Sequence, residues 1–483
     1  MREQLALLSR VDRLQHSGMQ RLDNTINVIV PTGALGVGVR EEDLDAGLAA
    51  GAHAIACDAG STDSGPAYLA TAIAKYSRAA VKSDLAVLMR AQARGRIPLL
   101  IGSCGTSGAN AAVDWTLDIA LEIAREQGLH PRIAVLYSEQ VPGHIADAAR
   151  AGCIDALAPL QTSEPTLFDR CDRIVALMGP EPYIAALERG ADIVLGGRTT
   201  DTAVLAAVPL MRGAGAGAAW HAGKTAECGG LCTVRPRDGG VLIRVGKDAF
   251  EVEPLGAGNR CTPSSVSKHM LYENSDPFVL KEPGGVLNVK HARYDAVDGR
   301  VVRVGGSRFE PAPYTMKLEG AARGGFQTLM LVGIQDPKVL ANLDRFLVRM
   351  QAALIDRVGE TLGEQAGDFD ISLRPYGWNA VSGLPVAGAA LPPREVGLLF
   401  VATAQTQALA TQIAKTCNPW FFHLPLEDEM DLPTYAFPFS PAEIERGEVY
   451  EFRLNHVIRT NGPMERVQTR FVDVEGDGRA QAR

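Results

Sequence analysis

The stretch IPLLIGSCGTSGANAAVDWTLDIALEIAREQG, residues 97–128, decides the fold class. It opens as a short apolar run, turns through glycines and hydroxyl residues, and continues with apolar residues at helical spacing until Gly128. A strand feeding a helix through a tight turn is half of a parallel crossover unit. The pattern recurs on both sides: TINVIV at 25–30, HAIACD at 53–58, RIAVLY at 132–137, IDALAPL at 154–160 and ADIVLGG at 191–197 read as strands, separated by helical segments such as EPYIAALERG at 181–190. The runs are apolar throughout rather than alternating, as strands covered by helices on both faces must be. The fold class expected is therefore α/β, with a mostly parallel, doubly wound domain over residues 24–212 that carries the glycine-rich turns.

Outside that domain the pattern changes. After GAGAGAAW at 213–220 come short strands with turn signals, including Asp298-Gly299 between two alternating runs, and residues 213–324 are expected to form an antiparallel β-rich subdomain that completes the site. FQTLMLVGI at 326–334, a long helical run at 339–359, DFDISLRPYG at 368–377, EVGLLFVATA at 395–404 and a helix at 405–416 follow in β-α-β-β-α order. That order predicts a C-terminal ferredoxin-like α+β domain over 325–475. Residues 1–23 are read as an N-terminal helical segment, and 476–483 as a tail.

Bulk properties exclude several function classes. A chain of 483 residues with 46% apolar content is too large for a single small module. Its net charge of −8, without a basic run interleaved with aromatics, argues against nucleic acid as a partner. No segment approaches the roughly 18 consecutive apolar residues of a membrane span, and the first residues lack the apolar core of a signal peptide. A cytoplasmic location without membrane attachment is expected. The eight cysteines include no CxxC pair, so a zinc ribbon is not indicated and free thiols are expected.

Three glycine-flanked turns, each after an apolar strand, carry the chemistry: CDAGSTDSGP at 57–66, GSCGTSGA at 102–109 and GGRTTDTA at 196–203. Ligands of parallel α/β sheets bind outside the carboxyl ends of the strands, where such turns lie. In the first, Ser61 and Thr62 are candidate ligand donors and Asp63 a candidate acid or base; the plainer alternative is a strand-to-helix turn with capping hydroxyls. The second offers Cys104 as a candidate nucleophile at a helix N-terminus, against the alternative of a small residue in a tight turn, with Ser103, Thr106 and Ser107 as donors to ligand oxygens. Neither GxGxxG nor GxxxxGK is present in the required context, so NAD and ATP are not supported. The third supplies Arg198 for a carboxylate and Asp201 beside it, or an internal Arg–Asp brace.

Farther on, KTAECGG places Lys224 and Glu227 three apart, an ion pair if helical and an acid–base couple if not. TPSSVSKHMLYENSDPF at 262–278 sets His269 and Glu273 four apart on one helical face, an arrangement that orients an imidazole for proton transfer or forms a surface pair.

Taken in this order, the three turns, KTAECGG, the 262–278 block, YTMKLEGA at 314–321 and FPFSPAEIERGEVYEF at 437–452 resemble the acyclic terpene utilisation AtuA family over nearly the whole chain, with a departure at Ala67 where the family pattern carries an aromatic. The resemblance implies an α/β domain followed by a ferredoxin-like one, in the breakdown of branched acyl or carboxylic acids. The residues point to a hydratase or dehydratase for a small hydroxy or unsaturated polycarboxylate or acyl substrate, with Asp63 or His269 as base and Glu227 or Glu273 as acid. A thioester chemistry at Cys104 and a non-catalytic, partner-binding subunit are the alternatives. No cofactor is expected; a Mg²⁺ ion on Asp58, Asp63, Asp201 and Glu227 stays open. The expected assembly is a homo-oligomer, with a small partner subunit open.

Overall fold

The computed structural model describes residues 19–271, 276–384, 391–475 and 480–482. Of the helical segment expected over 1–23, residues 1–18 lie outside them and 19–23 form no helix; Glu273 also lies outside them. The chain forms two compact units: one from the residues up to Ala322 together with those from Phe452 onward, the other spanning Arg323–Glu451.

In the first unit the strands Ile26–Val30, Ala54–Asp58, Leu99–Gly102, Ile193–Gly196 and Arg132–Tyr137 lie side by side in that order, every neighbouring pair parallel. Alternate residues of each strand feed two separate cores. Val28, Ala56, Leu100, Ala134 and Val194 join one with Val204, Val208 and Trp220 from the helices Asp201–Met211 and Ala216–Ala226. Ile29, Ile55, Ile101, Val135 and Leu195 join the other with Leu85, Leu88, Val113 and Ile119 from the helices Arg78–Gly95 and Asn110–Gln127. Burial on both sides explains why these strands read as continuous apolar runs.

Two expectations change. Of IDALAPL only Ile154–Ala156 is a strand, and it pairs antiparallel with His456–Ile458 instead of entering the parallel layer. Pro159, which has no N–H to give a ladder, prevents the run from continuing. The boundary expected at 213 does not divide the sheet, because Val241–Val245 pairs antiparallel with Ile26–Val30 and carries Ala249–Pro254, Val302–Gly305 and Arg293–Ala296 outward on the same edge. The glycine and alanine run instead enters a helix that lies against Asp201–Met211. A Cβ on Gly223 would stand 2.6 Å from the Thr202 carbonyl oxygen, so small residues are what let the two backbones approach. The hairpin at Asp298-Gly299 is present, with Ala296 opposite Val302. At the other edge Gln468–Val474 pairs with Arg132–Tyr137, and Ala480–Ala482, expected as tail, pairs with Val472–Val474.

In the second unit Phe326–Ile334 pairs antiparallel with Val396–Ala404, which pairs in turn with Phe369–Tyr376. The helices Leu343–Leu362 and Gln407–Cys417 bury Phe346, Met350, Leu354, Val358 and Ile413 in this unit's own core. The strand and helix order matches the one read from the sequence. The fold class is mixed α/β.

Candidate functional site

The parallel strands deliver all three glycine-rich turns to one end of the sheet, where Arg198 joins them. Its Nη1 donates to Ser103 Oγ at 3.0 Å, to the Thr199 carbonyl at 2.9 Å and to Asp201 Oδ1 at 3.0 Å; Nη2 donates to Ser61 Oγ at 3.3 Å, and Nε to Glu319 Oε2 at 2.9 Å. Thr62 Oγ1 donates to the same Glu319 oxygen at 2.7 Å, and Lys317 Nζ to Oε1 at 3.2 Å. Every nitrogen of the guanidinium thus has a protein acceptor, Asp201 among them. Burial raises the Glu319 carboxyl, but the Arg198 charge outweighs it and holds the group down at about 2.

The second turn is strained. Ser103 has φ +46° and Thr106, a β-branched residue, φ +79°. Gly108, at φ +65°, passes so close to the third turn that a Cβ there would lie 2.1 Å from the Arg198 backbone nitrogen. Backbone held in such regions recurs where a site must be preorganised. Two of its hydroxyls accept backbone N–H groups: Thr106 Oγ1 from Lys75 at 3.0 Å, which ties the turn to a neighbouring segment, and Ser107 Oγ from Ala109 within the turn at 3.4 Å.

Cys104 is corrected by its placement. The helix begins at Asn110, not beside the thiol, and Cys104 packs fully buried in the second core. Burial, reinforced by Asp58, pushes its pKa far above that of a free thiol, which is the state of an inert core cysteine. Asp63 is also displaced from the centre. It is exposed in the short Thr62–Ser64 turn, its N–H on Ser61 Oγ, while Asp58 is the carboxylate of this segment that points inward. Burial and the neighbouring Asp201 push Asp58 well above the ordinary carboxylate range, against the pull of Arg198.

A second cluster adjoins the first across Asp201 and Thr202, at the start of the Asp201–Met211 helix. Lys224, in the last turn of Ala216–Ala226, pairs with Glu227 Oε1, and Thr202 Oγ1 donates to Glu227 Oε2 at 3.2 Å. Burial raises Glu227 to about 8 against the opposing pull of Lys224, and raises Glu282, from the strand Val279–Glu282, to about 7. Lys224 is disfavoured by burial, yet Glu227, Asp201 and Glu282 around it keep its pKa raised. His269 closes the cluster; burial and Lys224 lower it to about 4. The Pro263–His269 helix is pinned by a reciprocal cap, Thr262 with Ser265, and Ser265 Oγ donates to the Cys232 carbonyl at 2.9 Å.

Among the described residues, one group of His, Cys, Asp and Glu side chains brings its ligand atoms together as a metal would require: Glu227, Cys228 and His269, all within 4.8 Å of one another. The carboxylate set expected for Mg²⁺ is not gathered in this way. Glu319 and Glu282 were not singled out from the sequence. Glu319 sits in YTMKLEGA on an inner strand, where it is buried beside Leu318 although strand alternation would turn it outward.

Residues 67–433 match the family described as acyclic terpene utilisation family protein AtuA. The chain belongs to that family. Membership sets it in acyclic terpene utilisation, a catabolic context, and the match takes in the second and third turns and the Lys224 and His269 cluster, with the CDAGSTDSGP turn just ahead of it. No curated protein and no solved structure matches the chain. No described helix is long and apolar enough to cross a membrane.

Proposed function

We propose that the chain is a hydro-lyase, a hydratase or dehydratase acting on a small hydroxy or unsaturated carboxylate or branched acyl compound in carboxylic-acid catabolism. The observation that carries this reading is a buried ammonium, Lys224, surrounded by carboxylates of which two, Asp201 and Glu282, remain partly open to an incoming molecule. Lys224 holds the negative charge that develops when a C–H next to a carboxylate loses its proton. One of the open carboxylates takes that proton; the freed electron pair forms the C=C bond as the β-hydroxyl leaves, protonated by the other carboxyl, as water. Arg198, saturated by protein acceptors, keeps Asp201 in place.

Absorbance assays against a panel of unsaturated and hydroxy di- and tricarboxylates and branched acyl substrates test it. Turnover by the wild type is expected to fall by about 100-fold or more in kcat for Lys224→Met and for Asp201→Asn. No turnover across the panel, or variants as active as the wild type, would remove the reading.

A further inference from the structure

We infer that Glu227, Cys228 and His269 form the protein half of a binding site for a borderline-soft divalent cation of the zinc class. The three offer a carboxylate oxygen, a sulfur and an imidazole nitrogen within 4.8 Å of one another. Sulfur and imidazole together favour zinc-like ions over magnesium or calcium, which take oxygen ligands. Three protein ligands leave a position for water or substrate, the pattern of a catalytic rather than a structural zinc site.

The backbone brings these groups together from two segments of the chain. Glu227 and Cys228 follow the Ala216–Ala226 helix directly, and His269 ends a capped helix tied to the Gly229–Cys232 turn. Glu227 and His269 are buried and Cys228 is partly exposed, which gives the ion a way in.

With the ion on Glu227, Lys224 retains Asp201 and Glu282. The site stands on its three side chains alone; its use as an anchor for a substrate hydroxyl or carboxylate rests on the lyase reading.

The test uses the full chain, stripped with a chelator and titrated with Zn²⁺ and with Co²⁺. One equivalent is expected to bind, Co²⁺ to show a thiolate charge-transfer band, and Zn²⁺ to protect Cys228 from alkylation in peptide mapping. Cys228→Ser is expected to lose the band, and His269→Gln to bind at least about tenfold more weakly, with unchanged circular dichroism. A missing band, a band that persists in Cys228→Ser, or a Cys228 alkylated equally with and without Zn²⁺ would overturn the site. Should Cys228→Ser fail to fold, the protection experiment on the wild type decides. Turnover without the band would sink the cation and leave the lyase; the band without turnover would do the reverse.

Discussion

Arg198 and Glu319 stand 121 positions apart in the chain and meet at 2.9 Å, Nε to Oε2, with both side chains buried. The pair joins the third glycine-rich turn to an inner strand, and Thr62 adds the first turn through the same carboxylate oxygen. Removing one partner of a buried pair leaves the other charge uncompensated. Glu319→Ala is expected to cost about 3–5 kcal/mol in urea unfolding, against less than about 1 kcal/mol for the exposed Lys317→Ala. A Glu319→Ala loss as small as the Lys317 one would contradict this.

Acid should expose two overlapping titrations that begin at different pH. Glu319 is depressed to about 2 from an ordinary value of 4.5, so its contribution is complete above pH 4.5 and is lost as pH falls toward 2. His221, fully buried with its Nδ1 2.6 Å from Ser307 Oγ, is held by burial at about 3 against 6.5. Its contribution is complete above pH 6.5 and is lost between there and pH 3, because the unfolded chain takes up the proton first. The fall in stability between pH 6.5 and 4.5 should be shallower in His221→Gln than in the wild type, with the buried His269 supplying the remaining slope, and the fall below pH 4.5 should be shallower in Glu319→Gln. If both variants retain the wild-type slopes, neither group is the source.

The thiols sort by burial. Cys153 and Cys228 are partly exposed and the other six cysteines are buried. A thiol reagent applied to the native, metal-free protein should modify these two quickly and the rest only on unfolding. Cys104→Ala should leave kcat within about twofold of wild type, since a core thiol whose pKa is far above neutrality supplies no thiolate. Rapid labelling of Cys104 would reverse that assignment.

Gly108 is held where a side chain has no room. At φ +65°, with a Cβ position 2.1 Å from the Arg198 nitrogen, Gly108→Ala is expected to lose at least about 2 kcal/mol and to displace Arg198 from Ser103. Thermal unfolding combined with turnover measures both effects, and a variant of wild-type stability would show that the two turns can separate.

Much of this was legible locally. Five of the six strands assigned to the parallel layer are there because each carries its own apolar run and is followed by its own turn, and Lys224–Glu227 is the helical i,i+3 pair that their spacing allows. Asp63 misled because a turn in sequence does not reveal which of two nearby aspartates faces inward. Cys104 misled because the turn preceding a helix is longer than the motif implies. Strand pairing decided these matters: Ala54–Asp58 ends with Asp58 beside Gly102, leaving Asp63 out on the exposed turn.

By itself the sequence determined the α/β class, the positions of the glycine-rich turns and the family, since periodicity, turn chemistry and motif order are properties of neighbouring residues. Only the tertiary structure decided that Arg198 is consumed by Glu319, that Glu282 enters the cluster, and that Glu227, Cys228 and His269 converge. Each of those depends on desolvated side chains from distant segments meeting within a few ångströms, and both the energy of burying a charge and its proton affinity are set by neighbours that chain order does not specify.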